Sequence, residues 1–260
     1  MKIAIVIPAR FGSKRLPGKP MVKVAGVSLL ERVWRIASAV EGVSGVYVAT
    51  DDDRVADHAA SFGAQSIMTP TDVATGTDRA RAALHLMQDK PDAVINLQGD
   101  AVLTPPWVVQ ALVDEFLADE SVEMVTAAMR CSWRQLAELQ ELKTHSPTSG
   151  TTVTMDKFGR ALYFSKQVIP YLRTRTFETP PVYRHIGIYG YCADVLDQLA
   201  TLEQTPLEIA EQLEQLRALE NGIPIKVALV DYQGRTHGSV DTPEDIPVVE
   251  EIIAREGELV

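Results

Sequence analysis

Cysteine is nearly missing from this 260-residue chain: Cys131 and Cys192 stand alone, with no C-x-x-C spacing. That speaks against a disulfide framework or a thiolate metal site, and two isolated thiols suit a reducing cytoplasm. No run of eighteen apolar residues occurs, and the N-terminus lacks a basic stretch followed by a long apolar one. Neither a membrane span nor secretion is therefore expected. Positive charge is also scarce, and a formal net charge of -10 speaks against a general nucleic-acid binder, which needs a basic face. Two familiar phosphate motifs are missing as well. There is no Gly-x-Gly-x-x-Gly fingerprint, which disfavours a nicotinamide or flavin site. Five residues rather than four separate Gly12 from Gly18, and Pro20 follows Lys19, so there is no Walker A loop and no hydroxyl to hold its metal ion.

What the chain does have is concentrated between Pro8 and Pro20. An apolar run at residues 3–7 reads as a short buried strand. It ends in a loop carrying Arg10, Lys14, Arg15 and Lys19, with Gly12 and Gly18 to let the backbone bend near a ligand. A strand that ends in a Gly-rich, cation-rich loop is how α/β proteins hold phosphate groups. In an otherwise acidic chain, four cations in one loop mark the place for a polyanionic small molecule. A merely solubilising loop would gain nothing from the glycines and prolines packed into it.

Strand and helix patterns alternate through the first half. Helical spacing at Leu29, Leu30, Val33, Trp34 and Ala37 is followed by a strand at 46–49, a helix at 55–62 and a strand at 66–68. A helix at 77–87, a strand at 93–97, a helix at 106–117 and a strand at 123–128 continue the rhythm. Such βα repeats imply a mostly parallel sheet with helices on both faces and ligands beyond the carboxyl ends of the strands. From about Cys131 the rhythm changes. Strands at 151–155 and 161–164 flank a hairpin signal at 156–159, and another strand spans 184–191, where Gly187 and Gly190 suggest close backbone approach. Residues 173–182 read as a polar, mobile loop, and helices at 208–220 and 243–255 enclose a strand at 225–230. A single domain over residues 1–260, with an antiparallel element inserted at about 131–200, fits this order.

Three segments at strand or helix ends carry candidate chemistry. Asn96-Leu97-Gln98-Gly99-Asp100 closes a buried strand with a carboxylate. Asp241-Thr242-Pro243 places another just before a helix. Two such acids suit Mg²⁺, which takes one or two carboxylates together with phosphate oxygens and water, although Asp241 reads equally well as a helix cap. Thr75-Gly76-Thr77-Asp78-Arg79 opens a helix, either as an ordinary capped start or as a reader of a base edge or phosphate.

In this order the segments resemble the CMP-Kdo synthetases, the 3-deoxy-manno-octulosonate (Kdo) cytidylyltransferases. The resemblance rests on Ile7-Pro8-Ala9-Arg10, Arg15-Leu16-Pro17-Gly18-Lys19-Pro20, Ala49-Thr50-Asp51-Asp52, Gly76-Thr77-Asp78-Arg79 and Gln98-Gly99-Asp100. It continues through Ala161-Leu162-Tyr163-Phe164-Ser165, Arg184-His185-Ile186-Gly187-Ile188-Tyr189-Gly190-Tyr191, Leu213-Glu214-Gln215-Leu216-Arg217 and Val240-Asp241-Thr242-Pro243-Glu244-Asp245. It implies a Rossmann-like nucleotide-diphospho-sugar transferase fold, a cytoplasmic homodimer, CTP and a 3-deoxy-ulosonic acid as substrates, and Mg²⁺ as cofactor. The product would be a CMP-sugar for lipopolysaccharide or surface polysaccharide. By the same resemblance Arg10, Arg15, Lys19, Thr75, Gly76, Arg79 and Gln98 bind the nucleotide. Lys19, Asp100 and Asp241 are catalytic, the two acids as metal ligands. Lys166, His185, Tyr189, Glu211 and Gln215 line the sugar site; for His185 a satisfied strand histidine is the other reading.

The family pattern breaks in four places. Ala101-Val102 replaces Glu-Pro after Asp100, Lys166 replaces an Arg suited to a carboxylate, Thr152 replaces a Lys, and Ile209 replaces a His. Lys keeps the charge of Arg but loses its bidentate fork. These changes fall on the sugar side. They leave open an altered acceptor, such as 8-amino-Kdo or another ulosonic acid, and a catalytically weak nucleotide-binding regulator.

Overall fold

Alternate residues of the first strand feed two different cores, and this fixes the layering. In the computed structural model, which describes residues 1–13 and 15–260, strand β1 (Ile3–Pro8) turns Ile3, Ile5 and Ile7 to one face and Ala4 and Val6 to the other. All five are buried, as a strand covered by helices on both sides requires. Lys14, one of the cations read in the first loop, lies outside the described residues.

After the loop come a 3-10 turn at Lys19–Met21, the short strands β2 (Lys23–Val24) and β3 (Val27–Ser28), and α1 (Leu29–Ser38). Then follow β4 (Gly45–Thr50), α2 (Asp53–Ser61), β5 (Gln65–Met68), α3 (Gly76–Leu86), β6 (Ala93–Asn96), α4 (Pro106–Ala118) and β7 (Met124–Arg130). The later chain adds α5 (Trp133–His145), β8 (Thr152–Met155), β9 (Ala161–Ser165), β10 (Tyr183–Cys192) and α6 (Ala193–Thr201). It closes with α7 (Pro206–Glu211), α8 (Gln215–Glu220), β11 (Ile225–Leu229) and α9 (Asp245–Glu256).

The main sheet runs β11-β7-β10-β6-β1-β4-β5, with β8 and β9 branching from β10. β1 pairs in parallel with both β4 and β6, so the chain leaves β1 in one direction and returns on its other side. Their carboxyl ends form a topological switch point, the crevice where open α/β sheets bind ligands. β10 is antiparallel to β6 and β7, which weaves the later antiparallel element into the centre of the sheet. Gly190 on β10 makes that possible: a Cβ there would sit 2.5 Å from Phe116 and 2.7 Å from Ile95. Gly187, expected to serve the same purpose, has open space around it and lies where the β10–β7 register shifts.

Two helices were not expected, α5 and α6. α5 carries a legible start, a capping box in which Ser132 and Gln135 satisfy each other's backbone N–H. The helix expected over 208–220 is two helices, α7 and α8, because Gln212 takes a left-handed φ of 53° that ends the first. Residues 173–182 form no regular element, but Trp133 Nε1 and Arg130 Nη2 donate to the carbonyls of Phe177 and Thr179.

Candidate active site

The loop after β1 is pinned from within. Leu16 and Pro20 are buried, and the amides of Ser13 and Gly18 both donate to the carbonyl of Phe11, at 2.9 and 3.0 Å. Gly18 takes a φ of 68° and packs against the Phe11 ring, a turn that a side chain would strain. The guanidinium of Arg54 lies 3.5 Å over the other part of this support, the Phe11 ring centroid. With its apolar residues anchored, the loop presents Arg10, Ser13, Arg15 and Lys19 to a cavity of about 410 Å³. Val73, Ala74, Thr75, Gly76 and Arg79 form another wall, and Gln98, Gly99, Asp100 and Asp241 complete it. Every residue expected to bind the nucleotide or serve catalysis therefore lines one crevice, at the carboxyl ends of β1 and β6.

Lys19 stands at its centre. Its Nζ donates to Asp100 at 2.7 Å and to Asp241 at 2.9 Å, and Arg15 Nη2 also donates to Asp241 at 2.9 Å. The carboxylate of Asp241 is thus spent on cations rather than on capping α9. That end is held by Asp245, which accepts from the amides of Asp241 and Thr242. Two carboxylates that meet on one positive charge at a cavity wall are the hard oxygen donors Mg²⁺ takes, and they fit it. Among the described residues no cluster of three or more acidic, His or Cys side chains occurs, so phosphate oxygens and water would supply the other ligands. Ala101 and Val102, which follow Asp100, are buried in the main core, where an acid would be costly.

The start of α3 is a capping box: Thr75 Oγ1 accepts from the Asp78 amide at 3.0 Å, and Asp78 accepts from Thr75. The Thr75 hydroxyl is therefore largely committed to the helix. Gly76 serves a different purpose: a Cβ there would lie 2.8 Å from Gln98 Oε1, so a larger residue would push the Gln98 amide from its place. Gln98 in turn donates to Asn96 Oδ1 at 3.1 Å. Arg79, expected to bind the nucleotide, lines the cavity but is buried and paired with Asp51 at 3.0 Å and Thr69 at 2.5 Å. It holds the wall more than it offers charge. Asp51 follows the carboxyl end of β4, and that position is the signal the sequence offers for it.

The five residues expected at the sugar site do not line this cavity. They gather beside it, around β9, β10, α7 and α8. Tyr189 faces Asn96 across the β10–β6 register, and Asn96 touches Gln98, so the two regions meet at the end of β6. His185 is buried, 5.0 Å from the Phe164 ring and 5.5 Å from that of Tyr189. Its Nε2 lies 2.9 Å from Thr126 Oγ1, which donates to the carbonyl of Ile188 at 2.8 Å. Thr126 therefore accepts from Nε2–H, which leaves Nδ1 of His185 as a bare acceptor. Burial, with the charges of His237 and Lys166, pulls the His185 pKa from its ordinary 6.5 to about 3. The imidazole is neutral at any physiological pH.

Glu211 accepts from the Ser165 hydroxyl at 2.6 Å and from the Lys166 amide at 2.7 Å, so its carboxylate shapes the wall. Tyr189 and Gln215 border a smaller cavity of about 40 Å³, and the buried Gln215 Nε2 has no hydrogen-bond partner among the described residues. A cation that sequence reasoning missed, Lys143 on α5, donates to the carbonyls of Ser149, Gly150 and Lys166.

Known proteins resemble this chain over nearly its whole length. The family model described as cytidylyltransferase matches residues 4–227. The chain is 51% identical to a 3-deoxy-manno-octulosonate cytidylyltransferase of Maricaulis maris, with all of both chains covered. It is 38% identical to an 8-amino-3,8-dideoxy-manno-octulosonate cytidylyltransferase of Shewanella sediminis, over 98% of this chain and 99% of that one. Among solved structures, CMP:2-keto-3-deoxy-manno-octonic acid synthetase complexed with CTP superposes with a TM-score of 0.86 at 37% identity. That match covers 98% of this chain and 100% of that one.

Proposed function

Because the chain belongs to the cytidylyltransferase family, we propose that it couples CTP to a 3-deoxy-2-ulosonic acid, giving a CMP-sugar and pyrophosphate. One observation carries this reading: Arg10, Arg15, Lys19, Asp100 and Asp241 share a crevice, and its Gln98 bonds Asn96, which pairs with Tyr189 of the polar and aromatic cluster beside it. A cavity of about 410 Å³ is of the size that holds a small-molecule ligand.

The reaction is attack by the anomeric hydroxyl on the α-phosphorus, with pyrophosphate leaving. It needs neutralised phosphates and an aligned nucleophile, and no covalent intermediate on the protein. Arg10, Arg15 and Lys19 supply positive charge where the triphosphate lies and where charge grows on the leaving group. Mg²⁺, held by Asp100 and Asp241, would draw charge from the phosphate oxygens. Gly76 lets Gln98 lie against the start of α3, where its amide faces the nucleotide. Thr75 and Arg79 keep that wall in place. Lys166, His185 and Tyr189 form the acceptor side, where neutral His185 offers Nδ1 to a sugar hydroxyl, and Glu211 and Gln215 support it.

A homodimer suits the exposed apolar side chains of the antiparallel element, Phe158, Leu162 and Tyr171. No described helix is long and apolar enough to cross a membrane, and we place the enzyme in the cytoplasm, supplying lipopolysaccharide or another surface polysaccharide. Kdo is the leading acceptor, on the identity to the Maricaulis relative. Lys166 in place of Arg, with a Shewanella relative named for the 8-amino sugar, makes 8-amino-Kdo the second. Pyrophosphate release with CTP and Mg²⁺ across Kdo, 8-amino-Kdo and a nonulosonic acid decides between them. The faster octulosonate names the acceptor, and release with neither octulosonate would defeat the reading.

A further inference from the structure

We propose that Lys143 is a positioning and specificity-determining residue of the acceptor site: it fixes Lys166 by gripping its carbonyl, and its charge favours an acceptor that carries a carboxylate. The inference rests on the cytidylyltransferase reading above and adds to it a residue outside the expected site.

A lysine in the last turn of a helix ordinarily stays in water. Lys143 instead turns its ammonium inward, onto the carbonyls of Ser149 at 2.9 Å, Gly150 at 2.7 Å and Lys166. The first two precede β8 and the third follows β9, so one side chain ties α5 to both strand ends. The Lys166 residue is thereby held from two sides. Its amide donates to Glu211 at 2.7 Å, and its carbonyl accepts from Lys143. Among the described residues its own ammonium makes one contact, a long one of 3.4 Å to Thr151 Oγ1, and is left to meet a ligand.

Charge supports the same conclusion. The charges of Lys166 and Arg184 both reach Lys143, with Glu211 the opposing carboxylate. Desolvation first, then the charges of Lys166 and Arg184, lowers the Lys143 pKa, and Glu211 acts against that shift. Arg184 Nε is buried with no hydrogen-bond partner among the described residues. Three cations around one carboxylate leave an excess that a bound carboxylate would relieve, and every 2-ulosonic acid carries one. The neighbouring strand supplies no such charge. Thr152 on β8 is wholly buried, donates to the Gln167 carbonyl at 2.6 Å and accepts from the Ile169 amide at 3.1 Å.

The test is steady-state kinetics of Lys143→Met beside the wild type, with the octulosonate that the wild type uses. The KM for the acid should rise about tenfold or more, the scale of losing one charge-assisted hydrogen bond, while the KM for CTP stays unchanged. An unchanged KM for the acid, or an equal rise in both KM values, would overturn the proposal, since a general loosening of the fold would not spare CTP. If Lys143→Met does not fold, Lys143→Arg decides. It keeps the charge, but its planar fork cannot reach three carbonyls from one point. A raised KM for the acid in that variant supports the proposal, because the grip on Lys166 is lost while the charge is kept, and a wild-type value rules out that grip and with it the proposal. A wild type inactive with CTP and every acid would instead sink the underlying cytidylyltransferase reading.

Discussion

Single side chains in this protein do two kinds of work, and burial separates them. Lys19, with Asp100 and Asp241, sits at a cavity wall where its charge can be handed to a ligand. Arg79 and His185, drawn from the same sequence blocks, are turned inward. Arg79 is committed to Asp51 and Thr69, and His185 to Thr126. The histidine has a measurable consequence. Its folded pKa of about 3 lies below the 6.5 expected of the unfolded chain, so the unfolded state binds the extra proton. The stability it contributes is complete above pH 6.5 and is lost progressively as the pH falls toward 3. Buried His237, lowered to about 4 by desolvation and the charge of Arg184, adds a second slope of the same sign. Thermal melts between pH 7 and 4 should show a shallower decline in His185→Phe than in the wild type, and parallel declines would contradict the buried neutral histidine.

At the scale of elements, the site depends on where strands end and where glycine lets chains approach. β10 enters the main sheet only because Gly190 lets Phe116, Ile95 and Val125 close over it. Gly190→Ala should cost about 1–3 kcal/mol in urea unfolding, as overpacking does, while Gly187→Ala should stay within about 0.5 kcal/mol. Equal losses would mean that the packing around β10 is not what holds it. The βα units were legible in the sequence because their periodicity is strong: Ile3 to Ile7 reads as a doubly buried strand, and Leu29, Leu30 and Val33 as one helix face. The loop cations Arg10, Arg15 and Lys19 were legible for a similar reason, standing out against an acidic chain. α5 is announced by Ser132 and Gln135 alone, because its apolar face is narrow, with Leu136 and Leu139 its buried residues. The break at Gln212 had no local signal, since it comes from a left-handed residue that is neither Gly nor Asn. Lys143 was invisible for a physical reason: only the fold brings the last turn of α5 against the ends of β8 and β9.

For the molecule as a whole, the switch point between β1 and β6 gathers the loop cations, the start of α3 and the two carboxylates into one crevice. The antiparallel element adds the proposed acceptor wall beside it, through the pairing of β10 with β6. On the proposed reading, nucleotide and sugar would meet at the end of a single strand, which is the geometry a direct transfer between them needs. Phosphorus NMR of the protein with CTP, Mg²⁺ and Kdo or 8-amino-Kdo reports that transfer directly. The expected result is disappearance of CTP with equal appearance of pyrophosphate and a CMP diester, slowed about a hundredfold or more by Asp100→Asn. Intact CTP with both sugars, or CTP split to CDP and inorganic phosphate, would contradict the account.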